Sequence, residues 1–161
     1  MEFNPFQIIP YTPSYKNECI QLFNSNRPLY FLKEELKLFT IWLDKNGIDG
    51  NYFIAISQGK VIACGGYFFD KEKKSAGLAW GMVDSKLHGK GIGKKFTVFR
   101  IKKMMEEYPD KNYMIETSQH TYKFYMKMGF KIKKITKDGF GKGLDNYYME
   151  LEKSRFENIK N

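Results

Sequence analysis

A glycine-rich segment that joins a predicted strand to a predicted helix limits most strongly how this chain can fold. The segment reads His88-Gly89-Lys90-Gly91-Ile92-Gly93-Lys94. The apolar run at 78–83 predicts a strand before it, and apolar residues at helical spacing from Ile92 onward predict a helix that ends before Pro109. Another apolar run at 113–117 predicts the next strand. Two strands joined through a helix run parallel, with a right-handed crossover, so the sheet must contain a parallel pair.

The rest of the chain predicts antiparallel strands around that pair. Strands are predicted at 6–10, 52–56, 61–69, 131–135 and 146–151, and further helices at 13–23, 32–45 and 121–128. Residues 137–145 are rich in glycine and predict a loop. Gly65 and Gly66, inside a predicted strand, indicate a bulge or a close approach of backbones. We therefore expect an α/β fold with a mixed sheet, in one domain that spans residues 1–161 with its core at about 7–151.

Composition excludes several classes of protein. Of the 161 residues, 42% are hydrophobic and 17% aromatic, which excludes global disorder. No apolar run approaches the roughly 20 residues that a membrane helix needs, and the first residues lack the pattern of a secretion signal. Cys19 and Cys64 are too few for a zinc site or a disulfide framework, and Cys19 falls at a predicted core position. We expect a reduced, cytoplasmic protein without a metal.

The net charge of +9 admits more than one interpretation. It results from 27 basic and 18 acidic residues, and only Arg27, Arg100 and Arg155 are arginines. Lysine attracts phosphate as a point charge, whereas arginine reads bases through paired hydrogen bonds. The lysines are spread along the chain, which favours a solvated surface over a nucleic-acid-binding face. No helix-turn-helix, RNP or zinc pattern occurs, so nucleic-acid binding is the less favoured alternative.

The glycine-rich segment has the chemistry of a phosphate site. Glycines let backbone N–H groups approach a ligand, and the start of a helix adds unpaired N–H donors and partial positive charge. Two familiar phosphate loops fit poorly. A P-loop needs glycine in place of His88 and Ser or Thr in place of Lys95, and a dinucleotide fingerprint needs its third glycine one position after Gly93.

Two motifs occur in a defined order along the chain. The segment His88-Gly89-Lys90-Gly91-Ile92-Gly93 matches Gln/Arg-x-x-Gly-x-Gly/Ala, with histidine at the first position. The run 118–130 aligns with a second motif, Asn-x-x-Ala-x-x-Phe-Tyr-x-Lys-x-Gly-Phe. The second half of the motif matches, whereas Ser118 and Thr121 stand in place of Asn and Ala. Together they resemble the motifs of the GNAT superfamily of acyl-CoA-dependent N-acetyltransferases. The resemblance covers residues 7–151.

This resemblance implies a fold and a cofactor. The GNAT-like fold is a mostly antiparallel sheet with one splayed parallel strand pair and helices on both faces. The pantetheine arm of acetyl-CoA enters between the splayed strands, and the glycine-rich segment binds the pyrophosphate. The cofactor-binding residues implied in this way are Met82, Val83, Asp84, His88, Gly89, Lys90, Gly91, Ile92, Gly93, Lys94, Ser118 and Tyr125.

The resemblance also implies a reaction, in which a neutral amine attacks the thioester directly. Tyr125 matches the general acid that protonates the leaving thiolate, and a backbone N–H near Val83 would stabilise the oxyanion. The amine needs a base. Glu116 is our first candidate, while His120, Asp84, Asp138 and a water molecule stay open.

The acceptor is the least defined part of the implied function. The family's acceptor region corresponds here to Tyr30, Phe31, Trp42, Asp138, Phe140 and Asp145. Aromatic and acidic side chains suit a small cationic amine, but a protein amine stays open. We expect a monomer or homodimer without a nucleic-acid or membrane partner. A non-catalytic acyl-CoA sensor on the same fold is the main alternative to an enzyme.

Overall fold

The structure is a computed structural model, and it describes residues 5–161. Within that range, the strands and helices follow one another in the order β1 (Gln7–Pro10), α1 (Lys16–Ser25), α2 (Glu35–Lys45), β2 (Tyr52–Ser57), β3 (Lys60–Asp70), β4 (Ser75–Val83), α3 (Ile92–Glu107), β5 (Asn112–Thr117), α4 (Tyr122–Lys127), β6 (Phe130–Gly141), β7 (Leu144–Leu151) and α5 (Lys153–Ile159). The strands form one seven-stranded sheet in the order β1-β2-β3-β4-β5-β7-β6. All neighbouring strands are antiparallel except β4 and β5, which are parallel. The predicted mixed sheet is therefore confirmed.

The helices cover both faces of this sheet. On one face, α1 and α2 pack on the strands through Cys19, Leu22, Phe23, Phe39 and Leu43. On the other face, α3, α4 and α5 pack through Ile92, Phe96, Ile101, Met104, Tyr125 and Phe156. Each of these side chains is almost fully buried, and burying one large apolar side chain contributes about 1.5–3 kcal/mol. Burial of Cys19 confirms its predicted core position.

The parallel pair ends early. β4 and β5 pair only over three residues, from Ser75 opposite Asn112 to Gly77 opposite Met114. Beyond these residues the two strands separate. We call the gap between the rest of β4 and the rest of β5 the wedge. It opens toward the ends of β4 and β5 that lead into α3 and α4.

A bulge lies in β4 beside the wedge. Cys64 pairs with Met82 and Gly66 with Ala79, so Gly65 alone faces both Trp80 and Gly81. The extra residue is therefore on β4, and it holds Trp80 in the left-handed region with φ of 46°. The predicted close approach at Gly65 and Gly66 is confirmed, because a Cβ on Gly66 would lie 2.2 Å from the carbonyl oxygen of Asn51.

The loop predicted at 137–145 is wrong. β6 continues to Gly141 and β7 begins at Leu144. Between the pairs Thr136–Asn146 and Gly141–Leu144, four residues of β6 face the single residue Asp145. This wide bulge accommodates the glycines within a hairpin. The prediction failed because the bulge depends on pairing with β7, which a glycine count does not reveal.

The core also extends beyond the predicted boundary at residue 151. The sequence predicted no element after the last strand. In the structure α5 follows β7 and buries Phe156 in the core. Gly129 makes this docking possible, since a Cβ there would lie 3.1 Å from the backbone nitrogen of Phe156. Among residues 5–161, no helix has the length and apolar character that crossing a bilayer requires.

Candidate active site in the wedge between β4 and β5

A cavity of about 700 Å³ occupies the wedge. Its wall includes Tyr30 and Phe31 from the face of the sheet that α1 and α2 cover. It also includes Phe96 of α3 and Tyr125 of α4 from the opposite face. The cavity therefore reaches both faces of the sheet, because the unpaired parts of β4 and β5 leave a passage between them.

The glycine-rich turn forms one mouth of the cavity. Gly89 and Gly91 have φ of 80° and 83°, a backbone region that strongly favours glycine. The first bond of α3 is donated by the N–H of Lys95 to Gly91 O, at 3.3 Å. The N–H groups of residues 91–94 therefore have no partner inside the helix. Together with Lys94, which lines the cavity, these donors provide a site for an anion.

The end of β4 is fixed by side chains from two other segments. The Val83 carbonyl oxygen accepts a hydrogen bond from Asn26 Nδ2 at 2.9 Å and lies 3.0 Å from His88 Nε2. Asp84 donates its N–H to Ile62 O at 2.9 Å. Because hydrogen-bonded and non-bonded pairs alternate along an antiparallel ladder, the N–H and C=O of Val83 point away from β3, into the wedge.

This geometry bears on two of the predicted cofactor contacts, Asp84 and Ile92. Both backbone groups of Asp84 are already bonded, since its carbonyl accepts from the N–H of Leu87 at 2.8 Å. The Asp84 side chain caps the N–H of Lys86. The Ile92 side chain is buried in the core, and Ile92 is not among the residues that line the cavity. A cofactor contact at Asp84 therefore stays a prediction, with both of its backbone groups already bonded within the protein.

Tyr125 lies on the wall of the cavity, with only 8% of its surface exposed. Its ring meets Phe124 and Phe130 edge-on, with centroids 5.0 and 5.9 Å away. Within residues 5–161 the Tyr125 hydroxyl makes no hydrogen bond. It is not among the fully buried polar atoms without a partner, so it stays accessible from the cavity. Ser118 also lines the cavity, and its Oγ accepts from the N–H of His120 just before α4.

Only two of the four candidate bases line the cavity. Glu116, at the end of β5, lines the cavity, and its carboxylate accepts a hydrogen bond from Asn146 Nδ2 at 2.9 Å. His120 also lines the cavity, with its ring 6.4 Å from that of Tyr30. Asp138 instead accepts from the N–H of Gly143 and stabilises the β6–β7 hairpin. Asp84 serves the capping role described above.

The opposite mouth of the cavity is aromatic. Tyr30, Phe31, Trp42 and Phe140 all line it, as the sequence predicted for the acceptor region. Asp138 and Asp145, predicted with them, lie outside the lining and bond to each other, with Asp138 donating its N–H to Asp145 Oδ1 at 2.9 Å.

Gln119 holds the β6–β7 hairpin at this mouth. Its Nε2 donates to Gly143 O, and its Oε1 accepts from the N–H of Asp145, both at 2.9 Å. The side chain thereby fixes the hairpin to the turn that precedes α4. Phe140 and Leu144 of the hairpin complete the lining.

Many residues of the lining were not singled out from the sequence, among them Asn26, Glu35 and Arg100. All three are buried polar residues. A signal was present for Arg100, which interrupts the apolar stripe of α3 four residues after Phe96 and four before Met104. Asn26 and Glu35 gave none, because Asn26 lies just after α1 and Glu35 is the first residue of α2, so neither falls inside the apolar stripe of a helix.

Glu35 is a buried carboxyl on the acceptor side. Its Oε2 accepts from the N–H of Leu32 at 2.8 Å, three residues earlier, in the turn that precedes α2. No lysine, arginine or histidine within the described residues forms an ion pair with it. Burial raises the pKa of this carboxyl above its ordinary value, and the hydrogen bond from Leu32 only partly opposes that effect.

The predicted cofactor residues fall into two groups around the cavity. Those that line it are Met82, Val83, His88, Gly89, Gly91, Gly93, Lys94, Ser118 and Tyr125, and those that do not are Asp84, Lys90 and Ile92. Within residues 5–161, no three His, Cys, Asp or Glu side chains are arranged to hold a metal ion.

Comparison with known proteins agrees with this architecture. Residues 49–132 match the family model described as an acetyltransferase (GNAT) domain. The chain therefore belongs to the GNAT acetyltransferase family. No curated protein matches it by sequence.

Several solved structures share the fold. The ribosomal-protein-alanine N-acetyltransferase of Brucella melitensis superposes with a TM-score of 0.72 at 21% identity, over 89% of this chain and 98% of that chain. A Salmonella typhimurium protein solved with its cofactor acetyl-CoA gives 0.71 at 13% identity, over 92% and 94%. An aminoglycoside 6'-N-acetyltransferase complexed with coenzyme A gives 0.69 at 14% identity, over 89% and 95%.

Glu35→Gln should become more stabilising as pH rises. Below the unfolded-state pKa of about 4.3 the carboxyl is protonated in both states, so its burial carries no charge penalty. Because the folded-state pKa is raised, stability is lost as pH rises through it. Glutamine does not ionise but still accepts from Leu32. Urea unfolding between about pH 4 and pH 7 should show the advantage of the variant growing, whereas the exposed control Glu34→Gln should show no such trend. A constant advantage would contradict the raised pKa.

Proposed function

We propose that this protein transfers an acetyl group from acetyl-CoA to a primary amine, with Tyr125 protonating the CoA thiolate. The observation that carries the proposal is one cavity that joins a turn of free N–H groups, the splayed end of β4, Tyr125 and an aromatic mouth on the opposite face. Acetyl-CoA and coenzyme A in two proteins of the same fold add support.

The mouth formed by the glycine-rich turn fits the pyrophosphate of acetyl-CoA. The free N–H groups of residues 91–94 and the nearby Lys94 provide donors and positive charge where a doubly charged diphosphate needs them. Gly89 and Gly91 leave open space, since a Cβ at either position meets no atom within 4 Å. The diphosphate would therefore approach the backbone without steric hindrance.

The pantetheine arm would follow β4 into the wedge. The N–H of Val83 points into the wedge, as does its carbonyl, which Asn26 and His88 already bind. The N–H is thus the free polar group of Val83. It can bind the arm or the oxyanion of the thioester.

The reaction is a direct displacement at the thioester carbon. The amine nitrogen forms a bond to this carbon while the carbonyl electron pair moves onto oxygen. The electron pair then returns, the carbon–sulfur bond breaks, and the thiolate leaves. One proton must leave the amine nitrogen and one must reach the sulfur, so the site needs a base and an acid.

Tyr125 suits the role of the acid. A phenol can act as a general acid toward a leaving thiolate that lies within hydrogen-bond reach. Its hydroxyl makes no hydrogen bond within residues 5–161 and therefore stays available to the sulfur. Aromatic packing against Phe124 and Phe130 fixes the ring.

Glu116 suits the role of the base. Its carboxylate lies at the end of β5, on the opposite side of the wedge from β4, and Asn146 orients it. An amine that enters through the aromatic mouth passes Tyr30 and Trp42 before it reaches the wedge. His120 is the second candidate, because it shares this part of the wall.

Tyr125→Phe should lower kcat by roughly 10- to 1000-fold, because the leaving thiolate loses its proton donor. Binding of acetyl-CoA, measured by calorimetry, should stay unchanged. The rate is measured as free thiol released with the best amine of a panel of diamines, aminoglycosides, amino acids and peptides. An unchanged rate would remove Tyr125 from the mechanism.

Gly91→Ala should weaken coenzyme A binding about fivefold, because alanine disfavours the left-handed turn that presents the N–H groups. Gly50→Ala is a matched control, since Gly50 has φ of 86°, also has open space around it and lies outside the cavity lining. Both variants should lose similar stability, and only Gly91→Ala should change the Kd. Equal Kd values for both variants would place the diphosphate elsewhere.

Glu116→Gln should lower kcat/KM roughly 100-fold or more near neutral pH, because the ammonium group loses its proton acceptor. The residual rate should rise with pH as more of the amine becomes neutral. His120→Asn is the companion variant for the pH–rate profiles. A loss in His120→Asn together with a normal Glu116→Gln would assign the base to His120.

A further inference from the structure

Arg100 is a buried cation on the wall of the cavity without an anionic partner. It lies in α3 with 2% of its surface exposed. No carboxylate among residues 5–161 forms an ion pair with it. Its Nη1 donates to Gly66 O at 3.3 Å and its Nη2 to Thr97 Oγ1 at 3.5 Å, both long for hydrogen bonds. Its Nε has no partner at all within the described residues.

Burial of an unpaired charge is strongly unfavourable, so this arrangement calls for a reason. Packing alone does not provide one. A Leu or Met side chain would fill the same position on the apolar stripe without the charge. The ring of Phe96, 5.3 Å from Arg100 Cζ, offers a weak cation–π contact but no countercharge.

The strands leave room for this guanidinium at one specific place. A Cβ on Gly81 would lie 2.4 Å from Arg100 Nη2, and a Cβ on Gly65 would lie 2.9 Å from Arg100 Cζ. Gly81 belongs to the β4 bulge and Gly65 is the residue opposite that bulge. The positive charge therefore lies directly against β4, two residues before Val83, where β4 borders the wedge.

The small exposed area of Arg100 limits what it can contact. Arg100 and Gly81 both line the cavity, yet almost all of the guanidinium is covered. Such a surface admits one oxygen atom of a ligand, so a carboxylate can present one of its oxygens there but cannot form the paired hydrogen bonds that arginine often makes. In the proposed function, the thioester carbonyl is the group that lies along this part of β4.

We propose that Arg100 stabilises the negatively charged oxygen that forms on the thioester carbon when the amine attacks. The inference rests on the proposed function, since it requires coenzyme A in the wedge. As the nitrogen–carbon bond forms, the carbonyl pair moves onto oxygen beside the guanidinium. The pair returns as the carbon–sulfur bond breaks. A fixed charge in a site shielded from water acts strongly and needs no reorganisation during the reaction.

Two CoA thioethers test the charge without an acceptor. S-carboxymethyl-CoA ends in an anion, and S-carbamoylmethyl-CoA is its neutral counterpart of the same shape. The parent protein should bind the anionic thioether about tenfold or more tightly by calorimetry. Arg100→Met should lose this preference while it binds the neutral thioether as before. Arg155→Met, an exposed arginine on α5, is the matched control and should keep the preference.

The outcomes separate this inference from the proposed function. If neither thioether binds the parent, the proposed function itself fails. If both bind equally well, coenzyme A is in place and the role of Arg100 is overturned. Melting curves identify variants that fail to fold, and Arg100→Lys, which keeps the charge, should retain part of the preference.

Turnover provides a second readout. Arg100→Met should lower kcat for acetyl transfer about 100- to 1000-fold with little change in KM for acetyl-CoA. Arg100→Lys should restore part of the loss, whereas a purely structural role would change melting temperature and not the rate per folded molecule. If Arg100→Met lowers only transfer from malonyl-CoA or succinyl-CoA, Arg100 binds a carboxylate of the donor and the proposal is wrong.

Discussion

The early end of the pairing between β4 and β5 is the constraint on which the site depends. Backbone N–H and C=O groups at the centre of a sheet need partners, and continued pairing would satisfy them within the protein. Here the pairing ends after Gly77 and Met114, and the groups beyond become available for a ligand. The cavity, the free face of Val83 and the approach of Tyr125 all follow from that separation.

The two faces of the sheet place ionisable groups of opposite sign at the two ends of the cavity. On the α1–α2 face, Glu35 places a buried carboxyl among aromatic side chains. On the α3 face, Arg100 and the start of the helix provide positive charge. This polarity agrees with the proposed reaction, in which an anionic nucleotide donor and a cationic acceptor would each enter at the end with the opposite charge.

Much of this architecture could be predicted from local sequence. Glycines at 89 and 91 indicated the anion-binding turn, and strand, helix and strand in succession indicated the parallel pair, because both depend on neighbouring residues. The wide bulge at 137–140 could not be predicted in this way. It requires Asp138, Gly143 and Asp145 to bond across the hairpin, and Gln119 to bond it from a distant segment. Arg100 was visible as a charge on an apolar stripe, but its contact with Gly65 and Gly81 depends on tertiary structure.

The double hydrogen bond of Gln119 has a consequence for attempts to redesign acceptor selectivity. The side-chain amide of Gln119 bonds the tip of the β6–β7 hairpin to the turn that leads into α4, the helix that contains Tyr125. Loop grafts that exchange the tip without preserving its two backbone contacts would disturb Tyr125, the proposed proton donor, as well as the aromatic mouth of the cavity. A transplanted hairpin therefore has to keep the two backbone groups that bond to Gln119. Without them, a gain in acceptor binding would be offset by a lower rate of the proposed reaction.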